Sequence, residues 1–287
     1  MLSPQLRALH EDNRISWNAA TIAHNSHKGD QIRFFQEGGD TLFPEDVELL
    51  GELSGKRVLH LQCNCGQDTL SLARRGATVT GVDISDQAVD FARNLSVRTG
   101  IPAEFHRADL YDWLITHRDA GEPFDIVYSS YGALQYLSSL QLWTRLITDI
   151  LRPGGSVILI DFHPVLHMFD SRGKLQNPYT ASGRPSTKQC GVSDYVQQAG
   201  VGLAEDRYEA GIQNFANPYP QHVFHWGLGE LTEALLDQGL SIEVLREYPH
   251  GNGHRYFDDS TPTRSRQFLP PSDLPPIPMM FGLRARR

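Results

Sequence analysis

The residue types most suited to chemistry occupy one short turn, QCNCGQD, at positions 62–68. The apolar stretch VLHL before it predicts a buried strand, and TLSLARRG after it predicts a helix that ends at Gly76. A dinucleotide-binding turn needs Gly-x-Gly-x-x-Gly so that the backbone can approach a pyrophosphate, whereas Gly66 is the only glycine of this turn. The Gly-Lys-Ser/Thr signature of a phosphate loop is missing as well. The polar side chains instead suit a zwitterion, whose ammonium group needs oxygen acceptors.

A second candidate, Asp83, ends the β-branched stretch ATVTGVD, 17 residues after Gly66. In a nucleotide-binding βαβ unit, a carboxylate at this place accepts hydrogen bonds from the ribose hydroxyls. NAD enzymes share that geometry with other proteins that bind adenosine. The composition of the turn disfavours an NAD-linked oxidoreductase, which remains one alternative.

Two cysteines in the turn raise the question of a metal site. A structural zinc site usually needs four ligands, often as two pairs, but Cys63 and Cys65 have only the distant Cys190 as a further thiol. Twelve histidines are present, and no acidic cluster completes a catalytic set with them. We therefore expect no metal, and we expect both turn cysteines to be small buried residues beside the ligand.

Among the histidines, His163 is the clearest candidate for catalysis because it directly follows the predicted strand SVILIDF. Its side chain, with a reference pKa of about 6.5, could act as a general base for a substrate proton. The alternative is a loop histidine that is hydrogen-bonded to backbone. His222, His225 and Tyr179 are candidates for contact with a substrate.

The elements that must position these residues alternate between strand and helix from residue 56 to residue 162, with short connections. This order predicts an α/β fold with a mostly parallel sheet, helices on both faces, and a ligand beyond the carboxyl ends of the strands. After the fifth strand, residues rich in Pro, Gly, Tyr and His show no regular period, which favours a substrate lid over a partly disordered surface loop. A long loop is predicted for residues 250–278.

These patterns divide the chain into four segments. We assign them as an N-terminal helical segment at 1–54, the core at 55–162, the insertion at 163–226, and a segment at 227–287 whose last helix and two strands complete a seven-stranded sheet.

Composition narrows the classes of function. The chain has 287 residues, of which 40% are hydrophobic. Its net charge of −8 disfavours nucleic acid as a partner and favours a small molecule. The sequence lacks an apolar run of about 18 residues, so we predict no membrane span. The N-terminus lacks the apolar core of a signal peptide, and three cysteines do not form a disulfide framework, so we expect a cytoplasmic protein. The oligomeric state, with a homodimer as one option, stays open.

The stretch RVLHLQCNCGQDTLSLARRGATVTGVDIS resembles the first two strands of a class I S-adenosylmethionine (SAM)-dependent methyltransferase, and more closely a bacterial branch with a variant first turn. The usual pattern is Val-Leu-Asp-Leu-Gly-Cys-Gly-x-Gly. Here His60 replaces the acid, and Gln62 and Asn64 replace two glycines. Asparagine tolerates a left-handed backbone, so the turn can survive. The likeness is good over residues 15–165 and weaker over 225–287, and it is specific for a Rossmann-like fold and for SAM rather than for a substrate.

The resemblance implies roles for individual residues. The turn residues expected to face the methionine part of SAM are Gln62, Cys63, Asn64 and Gly66. Asp83 is expected to hold the ribose, with Ile84 packed on the adenine. Asp109 is expected to accept from the adenine amino group with Leu110 beside the ring, although a helix cap is the alternative for Asp109. The carbonyl of Ser129 is expected to accept from the methionine ammonium.

Aromatic residues complete the expected site. In the resembling enzymes an N-terminal helical segment folds over the cofactor, which would bring Trp17 to the sulfonium, where a ring face attracts a cation; core packing is the alternative for Trp17. Tyr131, just past the fourth strand, is the aromatic expected near the transferred methyl group.

The expected activity is methyl transfer to a small metabolite. One alternative is an RNA or DNA methyltransferase, but enzymes that methylate base amines often carry Asn/Asp-Pro-Pro-Tyr/Phe where this chain has Ser-Ser-Tyr-Gly at positions 129–132. The other alternative is a protein that binds SAM without methyl transfer or that uses SAM for different chemistry, such as cyclisation.

Overall fold

The computed structural model describes residues 2–179, 181–204, 207–263 and 266–287. The helices are α1 (Pro4–Ser26), α2 (Gln31–Gln36), α3 (Pro44–Leu50), α4 (Gln67–Arg74), α5 (Asp86–Thr99), α6 (Leu110–Ala120), α7 (Leu140–Ile150), α8 (Tyr195–Ala199) and α9 (Leu228–Leu236). The strands are β1 (Arg57–Leu61), β2 (Thr78–Asp83), β3 (Glu104–Arg107), β4 (Phe124–Ser130), β5 (Leu151–Phe162), β6 (Pro185–Lys188), β7 (Gln221–Phe224), β8 (Ser241–Tyr248), β9 (Gly251–Asn252), β10 (Thr261–Pro262), β11 (Gln267–Leu269) and β12 (Met280–Arg286).

A seven-stranded sheet forms the core, in the order β3-β2-β1-β4-β5-β12-β8. Neighbours from β3 to β5 pair in parallel, whereas β12 pairs antiparallel with both β5 and β8. The predicted mostly parallel seven-stranded sheet is therefore confirmed. The strand order reverses between β1 and β4, which is the place where sheets of this kind bind their ligands.

Burial explains why the sequences of the core strands are mainly apolar. Residues 58–61 of β1 are all buried, as expected for a strand that is covered by helices on both faces. A serine caps the helix that follows β2: Ser85 Oγ accepts from the Ala88 N–H at 3.1 Å at the start of α5. The helix α7 places Trp143 and Leu146 in the main apolar cluster below the sheet.

The segments outside this core cover the carboxyl edge of the sheet. The long helix α1 packs against α5 and α8 and against β7, which forms a two-stranded antiparallel sheet with β6. The segment 163–226 thus has regular structure of its own. Its boundaries as a separate unit, and its role as a lid, stay predictions.

The predicted long loop at 250–278 is wrong in one respect. Its residues form a small antiparallel sheet in the order β10-β11-β9. Phe257 and Phe268 are buried there, so the segment gains apolar packing that its Pro- and Gly-rich sequence conceals.

Candidate active site

A cavity of about 420 Å³ opens at the carboxyl ends of β1, β2 and β4. The volume lies within the usual range for small-molecule sites, about 300–1,000 Å³. The cavity is bounded by the turn after β1, by the end of β2, and by residues of α8 and of the loop before β10. Helix α1 also lines the cavity, through the side chains of Trp17 and His10.

The turn after β1 adopts the backbone that the sequence suggested. Asn64 has φ 47°, and its side-chain oxygen accepts the N–H of Cys65 at 2.7 Å, which stabilises this left-handed residue locally. Gln62 also has a positive φ, 56°, and its amide donates to Ala133 O at 2.9 Å, which ties the turn to the loop after β4. Gln62, Cys63 and Asn64 all line the cavity.

Gly66 lies outside the cavity lining, and its role in this turn is structural. Its φ is +74°, and an added Cβ would lie 2.7 Å from the Phe105 ring and 2.8 Å from Ala92. The left-handed backbone and the close approach of two side chains both require glycine.

Asp83 lies at the cavity wall with Ile84 beside it. One carboxylate oxygen accepts the N–H of Asn64 at 2.8 Å, and the other accepts the N–H of Ser85 at 2.8 Å. Burial raises the pKa of Asp83 above its usual range, and these backbone donors partly offset that effect. Each oxygen keeps acceptor capacity for a hydroxyl group in the cavity.

Asp109 caps a helix and also lines the cavity, and its contact with adenine stays a prediction. Its Oδ1 accepts the Tyr111 N–H at 2.9 Å and so caps α6, while the residue also lines the cavity, with Leu110 next to it. Oδ2 lies 2.5 Å from Nδ1 of His10 in α1. Burial raises the pKa of Asp109, but the hydrogen bond and charge of His10, the Tyr111 N–H and the charge of Arg7 together outweigh burial and hold that pKa below its usual range.

Two further predicted residues lie near the cavity, but only Trp17 lines it. Trp17 packs edge-on against Tyr136, with ring centroids 5.8 Å apart, in the cavity wall. Ser129, near the carboxyl end of β4, has a buried side chain and lies outside the cavity lining, whereas its neighbour Ser130 lines the cavity. The donor and acceptor set at this end fits SAM: the carboxylates of Asp83 and Asp109 match ribose hydroxyls and an adenine amino group, and both suit a ligand with positive charge.

Tyr131 lines the cavity and has an unusual environment. Its Oη donates to Asp46 Oδ2 at 2.7 Å, and Tyr128 Oη donates to Asp46 Oδ1 at 2.7 Å. Asp46 is fully buried in α3, and burial, followed by the charge of Asp68, raises its pKa to about 7. Sequence reasoning missed Asp46, because it is separated from the two tyrosines by 82 and 85 positions.

A second buried carboxylate, Asp161 of β5, fixes the loop after β4. It accepts the N–H groups of Gly132 and of Leu134, the latter at 2.8 Å, and that of Phe162 at 2.7 Å. Burial raises its pKa to about 6 even with these donors. The only signal in the sequence was its position at the end of a predicted strand.

The placement of His163 differs from the predicted one. Its Nδ1 accepts the Val165 N–H at 3.1 Å, and its Nε2 lies 2.9 Å from Glu247 of β8, outside the cavity lining. β12 lies next to β5, so the residue after β5 turns toward β12 and β8 rather than toward the ligand. This arrangement matches the alternative of a loop histidine bonded to backbone, and we assign His163 no catalytic role.

The predicted substrate contacts of the insertion also lie outside the cavity lining. His222 joins Thr187 and Asp12, at 2.9 and 3.0 Å, and so fastens the insertion to α1. Tyr179 Oη accepts the Leu228 N–H at 3.2 Å at the start of α9.

His225 packs against His167 with the two rings tilted and their centroids 4.3 Å apart, and it is His167 that lines the cavity. The insertion therefore reaches the cavity through other side chains, among them His167 and Tyr195.

A further part of the cavity wall carries positive charge and aromatic rings. The guanidinium of Arg266 lies 4.3 Å from the centre of the Phe43 ring and donates to Thr41 O at 3.0 Å. Lys28, after α1, lines the same cavity, and burial lowers its pKa below the usual range. Asp68 lies nearby and accepts from Thr41 Oγ1 at 2.5 Å. These are further residues that sequence reasoning missed.

Two further properties of the described residues bear on other classes of function. Within them, no group of three or more His, Cys, Asp and Glu side chains could hold a metal ion. Nor does any described helix combine the length and apolar character needed to cross a membrane.

Comparison with known proteins agrees with this geometry. Residues 58–155 match a methyltransferase domain family. The chain is 35% identical over 164 residues to a protein named ubiquinone biosynthesis O-methyltransferase from Aromatoleum aromaticum. This match covers 53% of this chain and 67% of that protein. A protein of the same name from Rhizobium leguminosarum is 26% identical over 202 residues, 61% of this chain and 78% of the relative.

A solved structure shares the fold. An S-adenosylmethionine-dependent methyltransferase from Mesorhizobium loti superposes with a TM-score of 0.52 at 21% identity, over 88% of this chain and 100% of that one. Together with the seven-stranded sheet and the cavity at its switch point, these findings establish that the chain belongs to the class I S-adenosylmethionine-dependent methyltransferases.

Proposed function

We propose that this enzyme transfers the methyl group of SAM to a small-molecule acceptor that binds beneath the insertion. One observation carries the proposal: a single cavity joins the carboxylates of Asp83 and Asp109 to the aromatic and cationic groups around Phe43 and Arg266. A cofactor at the first end and an acceptor at the second would share one enclosed space. Catalysis by positioning needs that arrangement, because the two reacting atoms must meet in line in a dry site.

At the cofactor end, Asp83 would accept from the ribose hydroxyls and Asp109 from the adenine amino group. The turn from Gln62 to Asn64 would pass along the methionine part, with the carbonyl of Ser129 toward its ammonium and Trp17 over the sulfonium. When bound there, SAM supplies an electrophilic methyl group. The chain's own part is to orient the cofactor and the acceptor and to keep water out.

Two observations support a small acceptor. The relatives quoted above are named as methyltransferases of ubiquinone biosynthesis, which is a small-molecule pathway. The cavity wall also includes side chains from several other elements, such as Tyr195 of α8 and His254 before β10. A nucleic acid or a non-methylating use of SAM gains no specific support from the site. The cytoplasmic location and a homodimer stay predictions.

Isothermal titration and mass spectrometry test the proposal. We expect the purified chain to bind S-adenosylhomocysteine, and we expect incubation with methyl-deuterated SAM and a deproteinised bacterial extract to give a metabolite heavier by one labelled methyl group. Labelling of added RNA or DNA, or formation of methylthioadenosine without a methylated product, would instead support one of the rival activities. Absence of binding would contradict the proposal itself.

A further inference from the structure

Tyr131 is held at the cavity wall in a backbone conformation that non-glycine residues rarely adopt, with φ 46°. Such strain persists only where the surroundings impose it, and it collects at functional sites. Here the Tyr131 N–H donates to Ile160 O at 2.9 Å, and the next residue, Gly132, donates to the buried carboxylate of Asp161. The phenol ring is therefore fixed at the place where β4 ends.

The hydroxyl of Tyr131 connects the cavity to a carboxylate that the cavity does not reach. Tyr131 Oη donates to Asp46 at 2.7 Å, and Asp46 itself is fully buried behind the ring. Asn252 Nδ2 donates to the same Oη at 3.2 Å. A phenol oxygen can donate once and accept twice, so one lone pair remains for a molecule in the cavity.

We propose that Tyr131 and Asp46 form a proton relay that removes the proton of a phenolic or enolic hydroxyl on the methyl acceptor, an assignment that rests on the proposed function. As the acceptor oxygen bonds to the methyl carbon, its O–H bond breaks and the proton passes to Tyr131 Oη, while the original Tyr131 proton passes to Asp46. The methyl–sulfur bond breaks and leaves its electron pair on sulfur. After product release, Asp46 returns the proton through Tyr131 to the cavity.

The groups around Asp46 allow this role. Tyr128 and Tyr131 donate to it, Asp68 of α4 raises its proton affinity, and Arg266 opposes Asp68 from the loop before β11. β5 and β12, which pack against α3, present apolar residues such as Ile160 and Met280 in the cluster around it. With a pKa of about 7, the carboxylate can be ionised at neutral pH and still accept a proton.

The charges at this end of the cavity indicate which acceptor needs the relay. A carboxylate acceptor has no proton to lose, and an aliphatic alcohol is a far weaker acid than tyrosine. Lys28 and Arg266 favour an acceptor that becomes anionic and disfavour an ammonium group. The rings of Phe43 and Phe162 lie 5.6 and 6.1 Å from the Tyr131 ring and offer apolar faces to a planar acceptor.

A measurement on the protein alone tests the relay first. Carbon-13 NMR of carboxyl-labelled aspartate, with the Asp46→Asn variant used to assign the signal, reports the ionisation of Asp46. We expect the Asp46 signal to titrate between pH 6 and 8. In the Tyr131→Phe variant we expect the midpoint of this titration to shift, because the variant removes a donor to the carboxylate. An Asp46 signal that stays constant from pH 5 to 9 overturns the relay whether or not an acceptor is known.

Methyl transfer tests the acceptor class. Catechol, 4-hydroxybenzoate and acetylacetone serve as hydroxyl probes, benzoate and aniline as comparison compounds, and the labelled product from the extract as the natural case. We expect the label on a phenol or enol oxygen, and a loss of kcat of about 100-fold in Asp46→Asn with KM changed far less, as for loss of a general base. Transfer only to sulfur, carbon or an amine overturns the assignment. Failure to transfer to any compound counts against the proposed function, and the NMR titration then decides the relay separately.

Tyr128→Phe is the matched control, because it removes a hydrogen bond to Asp46 from a ring that lies outside the cavity lining. In the wild type we expect kcat to fall below about pH 7, as Asp46 becomes protonated. Tyr128→Phe should keep this limb and shift it to higher pH, whereas Asp46→Asn should lack it. A purely structural role would instead give Asp46→Asn and Tyr128→Phe the same pH profile.

Discussion

The carboxylate of Asp83 accepts the backbone N–H of Asn64 at 2.8 Å, so the end of β2 is tied directly to the turn after β1. The same carboxylate accepts the Ser85 N–H at 2.8 Å, where α5 begins. One side chain therefore sets the relative position of three backbone segments that border the cofactor end of the cavity. The ribose-binding role proposed for Asp83 depends on this fixed orientation, because it is established before any ligand arrives.

The first prediction concerns cofactor affinity. Asp83→Asn keeps one acceptor oxygen and the shape of the side chain but loses the charge that strengthens hydrogen bonds to hydroxyl groups. We expect the Kd for S-adenosylhomocysteine to rise by about 10- to 100-fold, since a hydrogen bond to a charged group contributes roughly 1.5–3 kcal/mol. Isothermal titration measures this. Asp90→Asn, which removes an exposed carboxylate of α5, is the control and should bind like the wild type.

The second prediction concerns Asn64, one of the two residues that stand in the turn where the family pattern has glycine. Asn64 has φ 47° and bonds to the N–H of Cys65 through its own side chain. Asn64→Gly should cost little, because glycine adopts this conformation freely, whereas Asn64→Val should lower the free energy of unfolding by about 1–2 kcal/mol. Urea denaturation of both variants checks this. Equal stability of the two would mean that the left-handed backbone is not what constrains this position.

Local patterns in the sequence predicted the parts of the site that depend on neighbouring residues. The alternation of strand and helix gave the sheet, and the acid that ends the second strand gave Asp83 at the cavity wall. The helix cap at Ser85 and the left-handed Asn64 follow from the preferences of single residue types.

Features that depend on distant pairing could not be read in this way. Asp46 stands in a short helix that looks ordinary in sequence. Its partners are Tyr128 of β4 and Tyr131 just after that strand, so only the folded chain reveals the buried carboxylate. His163 was placed on the correct strand end, but which neighbour it faces depends on β12, the last strand of the chain. The small sheet at 250–278 pairs strands of two or three residues, which carry almost no periodic signal.

The third prediction separates two reasons why a position requires glycine: a left-handed backbone and the close packing of neighbouring side chains. Gly66 and Gly100 both have left-handed backbones, with φ +74° and +70°. An added Cβ at Gly100 would meet no described atom within 4 Å, whereas at Gly66 it would press on Phe105 and Ala92. Gly100→Ala should therefore cost about 1 kcal/mol for backbone strain alone, and Gly66→Ala about 1–3 kcal/mol more for overpacking. Thermal or urea unfolding of the pair tests this, and equal losses would contradict the close packing at Gly66.

The fourth prediction is a pH dependence that arises from His60, which is buried beside the cavity with Nδ1 2.9 Å from Thr69 Oγ1. Burial lowers the pKa of His60 to about 3 in the folded chain, against about 6.5 in the unfolded chain. The neutral form is thus favoured by folding. Its contribution to stability is fully present above pH 6.5 and is lost as the pH falls, at about 1.4 kcal/mol for each pH unit.

Other buried groups titrate in the same range, and the raised pKa values of Asp46 and Asp161 act in the opposite direction, so the variant must be compared with the wild type at each pH. His60→Gln removes the titrating ring but can keep a hydrogen bond to Thr69. We expect the wild type to lose about 2 kcal/mol relative to His60→Gln between pH 7.5 and pH 5, measured by urea denaturation. A difference between the two proteins that does not change with pH would show that His60 is protonated as easily in the folded chain as in the unfolded one.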